Sequence, residues 1–445
     1  MFKKIKALTM AFFICLSAVC FSSCGTKSGD TDEVYFLNFK PEAADTYNKI
    51  ADAYEKETGV KVRVVTAAAN TYEQTLKSEI AKSNPPTIFT VNGPVGYESW
   101  KNYCADLTGS KLYSYLTDKS LAITDDGRVY GIPFVVEGYG IIYNNEILTR
   151  YFALKDKAVD ISSAEEIKNF DTLKAVVEDM TKHKAELKID GVFGSTSLSS
   201  GEEWRWQTHL SNVAISAEFN DGDDIVLEML EEDDIDFKYA ENFRKIFDLY
   251  INNSITDKKL LGSKSVADSM AEFALGKVAM IQNGTWSFSQ IKGVTGNTVK
   301  EEDIKFLPIY MGLEGEEQQG LCVGTENYIA INAKASDGAK KASFEFLDWL
   351  YSSPEGKKFV TDELGFITPF NTFSSDEAPD DPLSRQVKLW LNKQNVKSIP
   401  WAFTAYPGEN FKNDFAGALL QYVQGKIEFS KVVETVKNSW KEERK

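Results

Sequence analysis

Apolar and polar positions change their period several times along this chain. β-Branched and aromatic residues run together in "VYFLNF" (Val34–Phe39), "VKVRVV" (Val60–Val65) and "PTIFTV" (Pro86–Val91), and each run predicts a strand. Between the first two, Tyr47, Ile50, Ala51 and Tyr54 recur at i, i+3, i+4 and i+7, the stripe of an amphipathic helix that stops near Gly59. Tyr72, Leu76 and Ile80 start a second helical stripe before the third run. Strands alternating with helices in this order predict a parallel sheet with covering helices, an α/β fold.

Further on, "RVYGIPFVVEGYGIIYNNEIL" (128–148) reads as a strand that meets Pro133, followed by a second strand through "GIIYN". A chain leaving one domain for another has this pattern. Residues 160–275 are helix-rich, with the clearest stripes at Phe170–Lys184 and Tyr239–Asn253. Helices are also predicted across Ala342–Phe359 and Phe429–Trp440. In "GKVAMIQNGTW" (276–286), Val278–Ile281 reads as a buried strand, Asn283–Gly284 as a tight turn, and Trp286 follows at its end. A tryptophan there either plugs the core or offers a flat face to a ligand.

A length of 445 residues suits two or three domains. The net charge of −16 argues against nucleic acid as the main partner, since phosphate binding needs clustered Lys and Arg. The start of the chain adds an address. Lys3, Lys4 and Lys6 precede the apolar run Ala7–Phe21, and polar sequence resumes at once, so residues 1–23 read as an export signal rather than a membrane span. "FSSCG" around Cys24 resembles the lipobox of bacterial lipoproteins, with Phe21 where Leu is usual. The resemblance implies a lipidated Cys24, a polar tether over 24–30, and a protein held at the extracellular or periplasmic face of the cell membrane. Cys104 and Cys322 remain in the body; they either pair or stay as free thiols.

Ligands on parallel sheets bind outside the carboxyl ends of the strands. The loops at those ends carry Asn38, Lys40, Glu42, Asn70, Tyr72 and Asn92, which are groups for hydrogen bonding and stacking, not a phosphate cradle. Lys40 and Glu42 together could donate to and accept from sugar hydroxyls, or form a plain surface ion pair. No nucleophile elbow, H-E-x-x-H or Cys/His arrangement is present, and His183 and His209 read as surface residues. The acidic stretch 220–237 lacks the spacing of a calcium loop and reads as a solvated face. No catalytic residue, metal or cofactor is expected. A secreted glycosidase is the rival class, because carboxylate pairs and aromatics also serve that chemistry.

The lipobox, "YGIPFVVEGYGIIYN", "LGKVAMIQNGTW", "GTENYIAIN" (324–332) and "FEFLDWLYSSPEGKKF", in this order, resemble the extracellular solute-binding proteins of bacterial carbohydrate ABC importers, the maltodextrin-binding type. The resemblance covers nearly the whole chain. It implies a two-lobed α/β fold with hinges near Phe134–Val136 and Tyr328–Ala330, an N-lobe of 31–135 plus 329–373, and a C-lobe of 136–328 plus 374–445. It also implies a monomer that closes on an oligosaccharide and delivers it to membrane permease subunits. Trp286 then stands where the family stacks a sugar, with Trp204 of "EEWRWQ" as a second platform, one ring of Trp204 and Trp206 facing the cleft and the other packed behind. Glu137 supplies a carboxylate after the first hinge and Tyr139 a further ring or hydroxyl. Asn283 turns the chain at the cleft lip, Glu326 lies at the second hinge, and Trp401 or Tyr406 adds an aromatic contact. The expected ligand class is α-linked glucose oligomers, with raffinose-type α-galactosides and xylo-oligosaccharides as alternatives.

Overall fold

The computed structural model describes residues 33–68, 71–219, 224–374 and 376–445. Cys24, residues 1–23, the tether 24–30, Asn70 and residues 220–223 of the acidic stretch lie outside the described residues. The strands in chain order are β1 (Val34–Asn38), β2 (Val62–Thr66), β3 (Ile88–Asn92), β4 (Ile123–Asp125), β5 (Arg128–Pro133) and β6 (Glu137–Asn144). They continue with β7 (Gly191–Phe193), β8 (Val278–Gly284), β9 (Ile304–Leu307), β10 (Gln319–Gly324), β11 (Asn327–Ile331) and β12 (Lys397–Ile399).

These strands build two sheets, each the centre of one lobe. The first has the order β2-β1-β3-β11-β5-β4. Strand β1 is parallel to β2, from Val34 opposite Val62 to Asn38 opposite Thr66, and parallel to β3. All of β1 is buried, as expected of a parallel strand covered on both faces. The helix Ala44–Thr58 lays Tyr47, Ile50, Ala51 and Tyr54 on this sheet, and Gly59 ends it in the left-handed region at φ 75°. Strand β11 arrives from the other lobe and slots antiparallel between β3 and β5. Pro133, the last residue of β5, faces Tyr328 there, at a strand end where its missing N–H is tolerated.

The second sheet has the order β12-β10-β6-β8-β7, with β9 also on β6. The helices Phe170–Lys182, Ala240–Asn252, Glu409–Val423 and Phe429–Glu443 pack an extensive aromatic core beside it, including Phe243, Phe247, Phe411, Phe415 and Trp440. Strand β8 runs on through Asn283 and Gly284, which pair with Gly140 and Tyr139 of β6. The tight turn expected at Asn283–Gly284 is therefore absent; ladder pairing with β6 overrides the local turn preference, and the chain turns at Thr285–Trp286 instead.

The chain passes from the first sheet to the second through Phe134–Val136 and returns through Thr325–Glu326, between β10 and β11. Tyr328–Ala330, expected at a hinge, lie inside β11, paired with Val91, Thr90 and Phe89 of β3. A third passage follows Val136, whose N–H donates to Ile367 O at 2.6 Å, and leads into the helix Pro382–Leu391. Cys104 and Cys322 are buried free thiols, one beside the first sheet and one in β10 of the second. No described helix is long and apolar enough to cross a membrane.

Candidate functional site

The two sheets point a polar cluster and an aromatic cluster at the same crossing. The polar cluster begins two residues past β1. Asn38, the last residue of β1 and 2% exposed, donates through Nδ2 to Lys40 O at 2.8 Å and to Thr66 Oγ1 at 3.1 Å. Its Oδ1 accepts from Lys40 N at 3.0 Å. The Asn38 amide is thus spent on folding the loop back, which makes it a positioning residue for Lys40.

Lys40 reaches over to the first residue of β6. Its Nζ donates to Glu137 Oε1 at 2.9 Å and Oε2 at 2.8 Å, and Glu42 Oε1 lies at 3.8 Å. Lys40 and Glu137 are both buried. Burial opposes the Lys40 charge, but Glu137 and Glu42 outweigh it and hold the ammonium above its usual range. Burial likewise pushes the Glu42 carboxyl up, against the pull of Lys40.

Glu326, in the return passage, completes the cluster. Its backbone oxygen accepts from Gly93 N at 2.9 Å, and its Oε1 accepts from Asn327 Nδ2 at 3.3 Å. Burial, opposed by Lys40 and reinforced by Glu137, pushes its carboxyl up to about 7. Asn92 ends β3 opposite Asn327 and precedes the helix Gly93–Trp100 without capping it through its side chain. Gly93 has φ 61°, and a Cβ there would fall 2.8 Å from Thr404 Cβ of the other lobe. Only glycine allows that approach, so the lobes meet at this point.

The aromatic cluster comes from the second lobe. Residues Arg205–Leu210 form a π-helical turn that brings residues five apart onto one side. Trp204 and His209 consequently lie 4.7 Å apart between ring centroids, with His209 Nδ1 3.3 Å from Trp204 O. Trp286 follows, 5.8 Å from Trp204, and Trp401 lies 6.2 Å from Trp286. The Trp286 ring folds onto Gly284 and the Trp401 ring onto Gly324; a Cβ would sit 2.1 Å and 2.6 Å, respectively, from ring atoms. The absence of side chains at the ends of β8 and β10 thus makes flat floors for two indoles. Trp204 and Trp286 are half-buried, whereas Trp401 is 4% exposed. The indole Nε1 groups of Trp286 and Trp401 are buried without a hydrogen-bond partner.

Beneath these rings, Tyr139 is buried and donates to His209 O at 3.0 Å, its ring 5.6 Å from Trp401. His209 is 6% exposed, not the surface residue that sequence suggests, because the π turn rotates it into the aromatic cluster. Desolvation pushes its imidazolium down to about 3, so it is neutral. Arg205, also buried, packs its guanidinium 3.8 Å from the Trp204 ring centroid, which fixes that ring from one side.

The structure therefore gathers Lys40, Glu42, Glu137 and Glu326 in one polar group, with Asn92 at the end of β3 next to it. Trp204, Trp286 and Trp401 form the aromatic group; Tyr139, 1% exposed with its hydroxyl spent on His209 O, lies behind it, and Asn38 stands behind Lys40. It does not bring in Tyr406 or Asn283. Tyr406 is 1% exposed, packed on Phe411 and Trp440, with its hydroxyl on Ser211 Oγ at 3.0 Å. Asn283 points its amide at Met270 Sδ, 3.6 Å away in the core. Trp206 is buried behind Trp204, its Nε1 on Ser197 O at 2.9 Å. His209, Phe403, whose ring centroid lies 4.8 Å from that of His209 and 5.3 Å from that of Trp401, and Asn327 join the site unforeseen. The i, i+5 spacing of Trp204 and His209 is the one sequence signal for the first, and it shows only to a reader expecting a π turn.

Among known proteins, a family model described as bacterial extracellular solute-binding protein matches residues 49–386. The maltodextrin-binding protein MdxE of Bacillus subtilis is 26% identical over 148 residues, 33% of this chain and 36% of that protein. The melibiose/raffinose/stachyose-binding protein MelE of the same organism is 26% identical over 160 residues, 34% of this chain and 37% of that protein. The chain thus spans about a third of the length of the curated relatives it matches. Across the whole fold, a chitin oligosaccharide binding protein superposes with a TM-score of 0.71 at 18% identity, covering 92% of this chain and 99% of its own. RafE in complex with raffinose gives 0.67 at 16% identity, covering 93% and 100%. The match over most of the length, on a two-lobed fold, identifies this chain as a member of the bacterial extracellular solute-binding protein family.

Proposed function

We propose that this protein is the lipid-anchored, extracellular substrate-binding component of an ABC importer, and that its solute is an oligosaccharide. The observation that carries the reading is the indole cluster of half-buried Trp204 and Trp286 with buried Trp401, beside the carboxylates of Glu137, which is buried, and Glu326, which is half-buried. An indole covers the C–H face of a pyranose, and carboxylates accept its hydroxyls in charge-assisted bonds. Two partnerless indole N–H groups add donors for sugar oxygens. Contacts from Lys40 and Asn92 on one lobe and Trp286 and Glu137 on the other exist together only in the closed state. The ligand therefore shifts the population toward closure, and the permease reads the closed surface. The lobes divide at the passages Phe134–Val136 and Thr325–Glu326, Cys24 carries the anchor, and the protein works as a monomer without catalysing a reaction.

The names of MdxE and MelE favour α-glucosides and α-galactosides as the sugars to test first. Calorimetric titration against malto-, raffinose-type, xylo- and chito-oligosaccharides, with chromatography of the recovered sugar, tests the reading. Saturable binding with the sugar returned intact is the expected result. Release of shorter sugars would instead make the protein a glycosidase.

A further inference from the structure

The charges of the polar cluster do not balance. Glu42, Glu137 and Glu326 face a single ammonium, Lys40, and Glu137 engages that ammonium with both oxygens. The other basic group that acts on Glu326, Lys412, is held by Glu409 Oε1 at 3.0 Å. Among the described residues, the Glu326 carboxylate receives its hydrogen bond from Asn327 Nδ2 at 3.3 Å and forms no salt bridge. Asn327 is 1% exposed, and its Oδ1, on the same amide group, has no partner. Two acceptors of neighbouring residues therefore lack a salt-bridge partner or a second donor.

Glu326 is half-buried, so water solvates its carboxylate until a solute covers it; a neutral sugar hydroxyl then satisfies a lone pair but leaves the charge uncompensated. Burying such a charge unpaired is costly, so the carboxyl must either hold a proton or meet a positive charge. The upward shift at Glu326 has this same cause. An ammonium group supplies the cation and several donors at once.

We infer that the solute of this cleft carries a free amine, as an amino sugar unit within an oligosaccharide, seated on Glu326 and Asn327. The inference rests on the sugar reading above and narrows it to a basic subclass. The indole faces suit the same unit, since a cation near a Trp ring is itself favoured.

Calorimetry on the full folded chain at pH 7.0 with three trisaccharides of one backbone tests it: chitotriose with free amines, cellotriose with hydroxyls, and N-acetylated chitotriose with the charge removed. A parallel pair, maltosamine and maltose, covers α-linked glucose. The amine member is expected to bind at least about tenfold tighter than its neutral counterpart, the scale of one charge-assisted hydrogen bond. Acetylation returns the affinity to the neutral level, and Glu326→Gln collapses the ratio between the amine member and its neutral counterpart. If Glu326→Gln does not fold, the three-way comparison on the unaltered protein decides alone. Equal or tighter binding of the neutral members overturns the inference and leaves the sugar reading standing. So does binding confined to other neutral oligosaccharides. Failure of every oligosaccharide to bind overturns the sugar reading, and this inference with it.

Discussion

The polar and aromatic sides of the cleft are built on opposite principles. On the polar side the side chains hold one another: Asn38 folds the loop, Lys40 fills Glu137, and Asn327 Nδ2 donates to Glu326. On the aromatic side the rings rest on bare backbone at Gly284 and Gly324, and two of their N–H groups have no partner. The first arrangement is costly to disturb, because removing one member strands a buried charge. The second is cheaper to trim at Trp204 and Trp286, because a half-buried ring supports little of the core. A buried ion pair is tied to the fold, whereas a half-buried ring is much less so.

The comparison is broken most directly at Lys40. Lys40→Met leaves Glu137 buried without its cation and is expected to cost about 3–5 kcal/mol of stability, read by chemical denaturation. An unshifted midpoint would mean that the pair contributes nothing to the fold. Trp286→Ala is expected to reverse that balance. Oligosaccharide affinity falls by roughly 1–3 kcal/mol, as at other aromatic anchors, while the melting temperature barely moves. Unfolding instead would make Trp286 a core plug.

Buried titrating groups on the two sides pull stability in opposite directions with pH. His209 has a folded value of about 3 against an ordinary 6.5, so the unfolded chain gains a proton that the native one refuses. Its contribution is lost as pH falls from about 6.5 toward 3. Glu326 has a folded value of about 7 against an ordinary 4.5, so its contribution is lost as pH rises from about 4.5 toward 7. His209→Gln should flatten the acid limb, with about 2 kcal/mol less loss between pH 7.5 and 5, measured by denaturation at each pH. The smallest effect belongs to Tyr406→Phe. It removes one hydrogen bond to Ser211, costs on the order of 1 kcal/mol, and leaves sugar affinity unchanged. A drop in affinity would return Tyr406 to the cleft.

Much of the architecture was legible because periodicity reports burial. The stripe Tyr47–Ile50–Ala51–Tyr54 lies on the sheet, and the strand runs near residues 34, 62 and 88 form the predicted parallel core. What escaped depends on partners distant in sequence. Asn283–Gly284 looks like a turn until β6 pairs with it. The return passage falls at Thr325–Glu326 because β11 starts at Asn327 to meet Asn92, a register that no local signal encodes. His209 was misread because a 3.6-residue period places it away from Trp204, whereas the π turn places it alongside. Tyr406 and Trp401 look alike in sequence, and only the packing on Trp440 or on Gly324 separates them.

The row of three indoles has an optical consequence. Trp204, Trp286 and Trp401 lie in sequence with centroid spacings of 5.8 and 6.2 Å, close enough for their electronic transitions to couple through space. Coupled chromophores held at fixed angles absorb left- and right-handed light unequally. The protein thus carries its own near-ultraviolet dichroism signal at the cleft, and a solute that tilts any one ring alters the signal of all three.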